Sequence, residues 1–130
     1  MSKPNHDPFV TITDQLASAH GGISMRLTQY GYPHDPDSDS ETRKGHGAYR
    51  HLQSGASIAL TDSGLAALGL SRTQVRRSAQ WVDIKLKGGG TLTRRIDDRA
   101  PERDRRADLY QPGGFNRHLP DYADVSRHRG

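Results

Sequence analysis

Three of the four aspartates in one stretch, Asp97, Asp98 and Asp108 of TLTRRIDDRAPERDRRADLY (Thr91 to Tyr110), have the types and spacing that could do chemistry. Paired carboxyl groups move protons to and from a reacting oxygen, provided that one of them is still protonated near neutral pH. Burial, or the negative charges of Asp97 and Asp108, would raise the proton affinity of Asp98, whereas Arg95 or Arg99 nearby would lower it. Strand alternation sends Asp97 and Asp98 to opposite faces, so one of them at most lines a groove. Six arginines share the stretch (Arg94, Arg95, Arg99, Arg103, Arg105 and Arg106). Taken alone, these residues fit a solvated Arg/Asp network better than an active site.

The elements that must position these carboxylates are short strands. Trp81 to Leu86 alternates, with Val82, Ile84 and Leu86 on one face, and Gly88-Gly89-Gly90 joins it to Thr91 to Ile96 as a hairpin. A charged loop holding Arg99, Ala100 and Pro101 then leads to a strand ending at Tyr110. Upstream, Phe9 to Thr13 (FVTIT) is a short strand candidate. Ile23 to Tyr30 is a better one, with Ile23, Met25 and Leu27 on one face. Gly31 to Gly47 reads as a long loop with an aromatic shoulder, and ASIAL (Ala56 to Leu60) as a strand. Thr61 or Asp62 caps a short helix that stops at Gly69, and SRTQVRRSAQ (Ser71 to Gln80) reads as a basic turn or helical fragment. Phe115 and Leu119 pack on the body of the domain before the chain trails off.

The chain of 130 residues is long enough for one domain, yet its 32% hydrophobic content is low, so the ordered part is expected to be smaller than the chain. The expected layout is a disordered arm over residues 1–8, a barrel over 9–119 and a flexible basic tail over 120–130. Cysteine is absent, which removes disulfides, thiolate metal sites and cysteine nucleophiles. No run approaches a membrane span, so membrane insertion is not expected. A net charge of +4 and a pI near 9.7 suit a polyanionic partner without choosing one. Nucleic-acid motifs are missing, which makes nucleic acid the least favoured of these.

The resemblance lies in Ile96-Asp97-Asp98-Arg99-Ala100-Pro101 followed by Ala107-Asp108-Leu109-Tyr110. This pattern resembles the double-psi β-barrel domains of the rare lipoprotein A type, in which an Asp-Arg-Gly-Pro turn precedes an Ile-Asp-Leu strand. Ala48 to Gly55 is similar to that family's Ala-His-Arg-Thr-Leu-Pro-x-Gly turn, and Gln29-Tyr30-Gly31 to its early Trp-Tyr-Gly. The spacing of Asp98 and Asp108 is also similar to that in three-aspartate barrels and membrane-bound lytic transglycosylase A. The resemblance covers roughly Ile23 to Gln111. It implies an all-β fold, a small six-stranded double-psi β-barrel with one or two short helices and loose termini. It also implies action on peptidoglycan glycan strands, with Asp98 as general acid and Asp108 in support. Tyr49 stands where the family has histidine; His46 and His51 are near it in sequence but not at the same strand-end position.

Tyr30, Tyr32 and Tyr49 are candidates to stack on sugar rings, with His46, His51 and Arg99 as further substrate-binding candidates. For the tyrosines, a packed barrel end is an equally good reading. Asp35, Asp37 and Asp39 alternate like the start of a calcium loop, but Ser40 and His46 occupy the positions that need glycine and glutamate, so no metal and no cofactor are expected. The expected function is a glycan-cleaving, lytic transglycosylase-like domain. The alternative is a non-catalytic, expansin-like barrel that binds polysaccharide or another polyanion, and a monomer is expected in either case. Action on the cell wall implies a periplasmic or extracellular address, reached by a removed signal or another route.

Overall fold

A computed structural model describes residues 22–129. The FVTIT segment and the N-terminal arm lie outside the described residues. Within them, six strands form one sheet: β1 (Ile23–Tyr30), β2 (Ser57–Thr61), β3 (Trp81–Leu86), β4 (Thr91–Ala100), β5 (Arg106–Tyr110) and β6 (Tyr122–Arg127). Three short helices accompany them: α1 (Ser40–Arg43), α2 (Asp62–Ala67) and α3 (Arg72–Arg77).

The strand order is β1-β5-β2-β4-β3-β6, and β6 pairs back onto β1, so the hydrogen bonds form a closed ring. Two pairs are parallel, β1 with β5 and β2 with β4, and the other four are antiparallel. The pattern of pairings is the same read from either side of the β5–β2 contact. Closure leaves no open sheet edge among these strands.

Alternating apolar residues fill the centre. Met25 and Leu27 from β1, Val82 and Ile84 from β3, Ala107 and Leu109 from β5, and Ala123 and Val125 from β6 are all buried. β2 is buried at all five positions, because β4 and β5 flank it and α2 packs on it. Thr61 Oγ1 caps α2 by accepting from Gly64 N at 3.1 Å, and the chain turns out of the helix at Gly69 (φ 76°), as the sequence predicts. α3 opens with a capping box between Ser71 and Gln74.

Four sequence expectations change. β4 runs unbroken to Ala100, so Arg99 and Ala100 belong to the strand rather than to a loop. Tyr122–Arg127 is β6, which closes the sheet between β1 and β3, not a flexible tail. The long loop contains α1, capped by Asp39, whose Oδ1 accepts from Thr42 N at 2.7 Å. Its first turn is organised by Asp35, whose carboxylate accepts from Gly31 N, Asp37 N and Ser38 Oγ, so Asp35 is a loop brace. No helix among the described residues is long and apolar enough to cross a membrane.

Candidate functional site

Register places both predicted aspartates in one row. On one side of β5, Asp108 pairs with Thr28 of β1, and on the other with Ala59 of β2. Ala59 pairs in turn with Asp98 of β4. The row therefore reads Thr28, Asp108, Ala59, Asp98, with the two aspartates two strands apart. At the usual strand spacing their Cα atoms are separated by about 10 Å. The methyl group of Ala59 keeps the floor between them low.

A bulge decides which β4 aspartate joins the row. Ile58 pairs with Ile96 but Ala59 with Asp98, so Asp97 is the extra residue and alternation breaks there. Ile96 and Asp97 are both fully buried as a result. Asp97 Oδ1 accepts from Arg95 Nε at 2.6 Å, and Oδ2 from Ser57 Oγ. Its carbonyl oxygen accepts from Tyr49 N at 3.0 Å and Arg50 N at 3.1 Å. Asp97 is thus a buried brace that ties the 47–50 turn to β4. The turn sits so close that a Cβ on Gly47 would lie 2.4 Å from the Asp97 carbonyl oxygen.

That turn holds Asp98 in place. Asp98 Oδ1 accepts from Ala48 N at 2.7 Å and from Arg99 N at 2.8 Å, and Oδ2 accepts from the Tyr30 hydroxyl at 2.9 Å. Three donors therefore fix the orientation of the Asp98 carboxyl group. Burial, together with the charges of Asp98 and Asp108, pushes the Tyr30 phenol well above its ordinary range, so Tyr30 remains a donor.

Asp108 lives differently. It accepts one hydrogen bond, from Thr28 Oγ1 at 2.9 Å. Burial pushes its carboxyl up to about 7; the Thr28 hydroxyl and Arg106 oppose the rise, while Glu102 and Asp35 add to it. Arg106 relieves it little, because its guanidinium is engaged by Asp104 at 3.1 and 3.2 Å.

Both aspartates line a cavity of about 810 Å³ bounded by Thr28, Tyr30, the 46–48 turn, Arg99 to Glu102 and the 115–121 segment. Its wall carries eight carboxyl groups against three guanidinium groups. Among the described residues, no group of three or more His, Cys, Asp or Glu side chains is arranged to hold a metal ion.

Of the predicted binding residues, Tyr30, His46 and Arg99 line this cavity. Tyr30 spends its hydroxyl on Asp98. His46 Nδ1 pairs with Glu41 at 2.9 Å, the Arg99 guanidinium is bidentate to Asp62 at 3.0 Å, and the Arg95 guanidinium pairs with Asp97 rather than Asp98. His51 is outside the lining and packs edge-on against the His46 ring at 5.2 Å. Tyr32 is also outside it and meets Phe115, which does line the cavity. Tyr49 packs against the hydrophobic core under the Arg76 guanidinium, away from the cavity. Thr28, Ala59, Glu102 and Phe115 are site residues that sequence reasoning missed; only the register of the finished sheet selects the first two. No protein-family model matches the chain, and no curated protein matches it.

Proposed function

We propose that this chain is a double-psi β-barrel of the rare lipoprotein A or three-aspartate type that cleaves a glycan polymer, with peptidoglycan as the first candidate. The observation that carries this reading is the row of Asp98 and Asp108 on either side of Ala59 in one cavity, with the Asp108 carboxyl pushed up to about 7 by burial. The two parallel pairs, placed alike about the β5–β2 contact, support the double-psi assignment.

In this reading Asp108 holds the proton near neutral pH and gives it to the glycosidic oxygen as the bond from C1 breaks. Asp98, held in place by three donors, faces the positive charge that develops at C1. The sugar's own hydroxyl then attacks C1 and returns its proton to Asp108, which closes an anhydro ring and restores the acid. With water as the attacking group the same steps give hydrolysis. The family resemblance puts the acid at Asp98; the raised carboxyl of Asp108 favours Asp108 instead. A cell-wall substrate implies a periplasmic or extracellular site of action.

A second reading, a non-catalytic glycan-binding barrel, is favoured by Tyr49, which replaces the family's histidine and faces the core. The carboxylate excess of the cavity narrows that reading from polyanions to uncharged glycans. Digestion of purified peptidoglycan followed by mass analysis tests both. Cleavage predicts anhydro-sugar ends from the wild type and none from Asp108→Asn. Equal products from that variant would overturn the acid assignment, and sedimentation with the sacculus without products would leave the binding reading.

A further inference from the structure

Three consecutive residues of β1 hold three parts of the cavity. Thr28 donates to Asp108, Tyr30 donates to Asp98, and Gln29 between them pins the segment after β5. The Gln29 amide works in both directions: Nε2 donates to Asn116 O at 2.9 Å, and Oε1 accepts from Asn116 N at 2.8 Å. Gln111 Nε2 donates to the same Oε1 at 3.2 Å. Asn116 further fixes the turn by accepting from His118 N at 3.0 Å. The residue next to this clamp is Phe115, an aromatic ring on the wall of the cavity and 56% exposed.

The ring is supported as well as displayed. Tyr32 meets it in a T-shaped contact with centroids 5.2 Å apart and planes at 73°. Trp81, also exposed, has its face covered by the Arg95 guanidinium at 5.6 Å, so the two rings are used differently. Phe115 has no polar atom to satisfy, so a partner meets it through stacking and C–H contact alone. The apolar face of a pyranose supplies that contact. The carboxylate-rich wall beside it disfavours an anionic sugar.

We infer that Phe115, backed by Tyr32 and clamped through Gln29, is a stacking subsite for an uncharged pyranose residue at the mouth of the cavity. The inference rests on the glycan reading and adds a fixed binding position to it. Because the clamp comes from the strand that bonds both aspartates, a sugar on Phe115 is held in register with them.

The test is titration of the full chain with the tetramer of N-acetylglucosamine, followed by calorimetry and NMR shifts. Phe115→Ala is expected to weaken binding about tenfold, the factor set by one lost aromatic contact. Phe115→Trp keeps or improves the affinity, and Gln29→Ala, which frees the turn, weakens it several-fold. Equal affinity of Phe115→Ala and wild type overturns the subsite, as does wild-type chain that shows no saturable binding at millimolar tetramer. Peptidoglycan cleavage without any dependence of binding on Phe115 sinks the subsite alone. Phe115-dependent binding without cleavage sinks the catalytic reading alone.

Discussion

The two halves of the ring share one pattern of pairings and differ at the row that crosses them. In one half, β1 and β5 set Thr28 beside Asp108; in the other, β4 and β2 set Asp98 beside Ala59. Where the neighbour is a hydroxyl, the half-buried aspartate bonds along the sheet with a single donor. Where the neighbour is a methyl group, the aspartate must look elsewhere, and it takes two backbone N–H groups and the Tyr30 phenol, reached across the cavity from β1. Equal backbone positions thus take unequal sets of partners. The contrast shows how a closed sheet can give two aspartates of one row different hydrogen-bond partners.

The largest expected effect comes from removing the raised acid. Asp108→Asn should lower glycan cleavage at least about 100-fold, the usual scale of a lost general acid. Wild-type cleavage should fall as pH rises through about 7, where Asp108 gives up its proton. The sign for stability follows from linkage. The folded carboxyl holds its proton to about 7 whereas the unfolded one loses it near 4, so between these values the folded state binds more protons and stability declines as pH rises. Denaturant unfolding of wild type and Asp108→Asn at pH 4 and pH 8 should show that decline, roughly 2–4 kcal/mol, in the wild type only.

Next comes the neighbour of Asp98. Asp97→Ala strands Ser57 and Arg95 inside β4 and β2 and should cost about 2–3 kcal/mol, reduced from the fully buried case because Arg95 reaches solvent. Urea unfolding measures it, and a loss no larger than that of Asp98→Ala would remove the distinction between brace and cavity acid. The smallest effect is expected from Tyr30→Phe. It takes one of three donors from Asp98 and should cost about 1 kcal/mol in the same assay, with a several-fold loss of cleavage. Unchanged cleavage would reduce Tyr30 to a packing residue.

Much of this was readable from residue order. The alternation of Ile23 to Tyr30, the Gly88–Gly90 hairpin and the Thr61 cap are local signals, and each element forms where its signal lies. β6 carries a signal too, since Ala123 and Val125 alternate with Asp124 and Ser126. It was masked by the surrounding histidine, arginine and proline, and its partners β1 and β3 are distant in sequence. The site divides in the same way. Asp98 and Asp108 were visible as residue types, and alternation put Asp97 and Asp98 on different faces. The bulge that buries Asp97 depends on the pairing of β2 with β4, which no local pattern records. Tyr49 was placed with the binding residues because its turn was matched by sequence, whereas its direction is set by the two bonds to the Asp97 carbonyl and by the core beneath it.

The central claim is that the Asp108 carboxyl is pushed up to about 7 while sharing a cavity with Asp98. Titration of the aspartate carboxyl carbons by NMR in the full chain, with Asp108→Asn for assignment, tests it most directly. The account predicts one carboxyl resonance with a midpoint near pH 7 that disappears in the variant. A wild type whose Asp108 resonance titrates near 4, like an exposed aspartate, would contradict it.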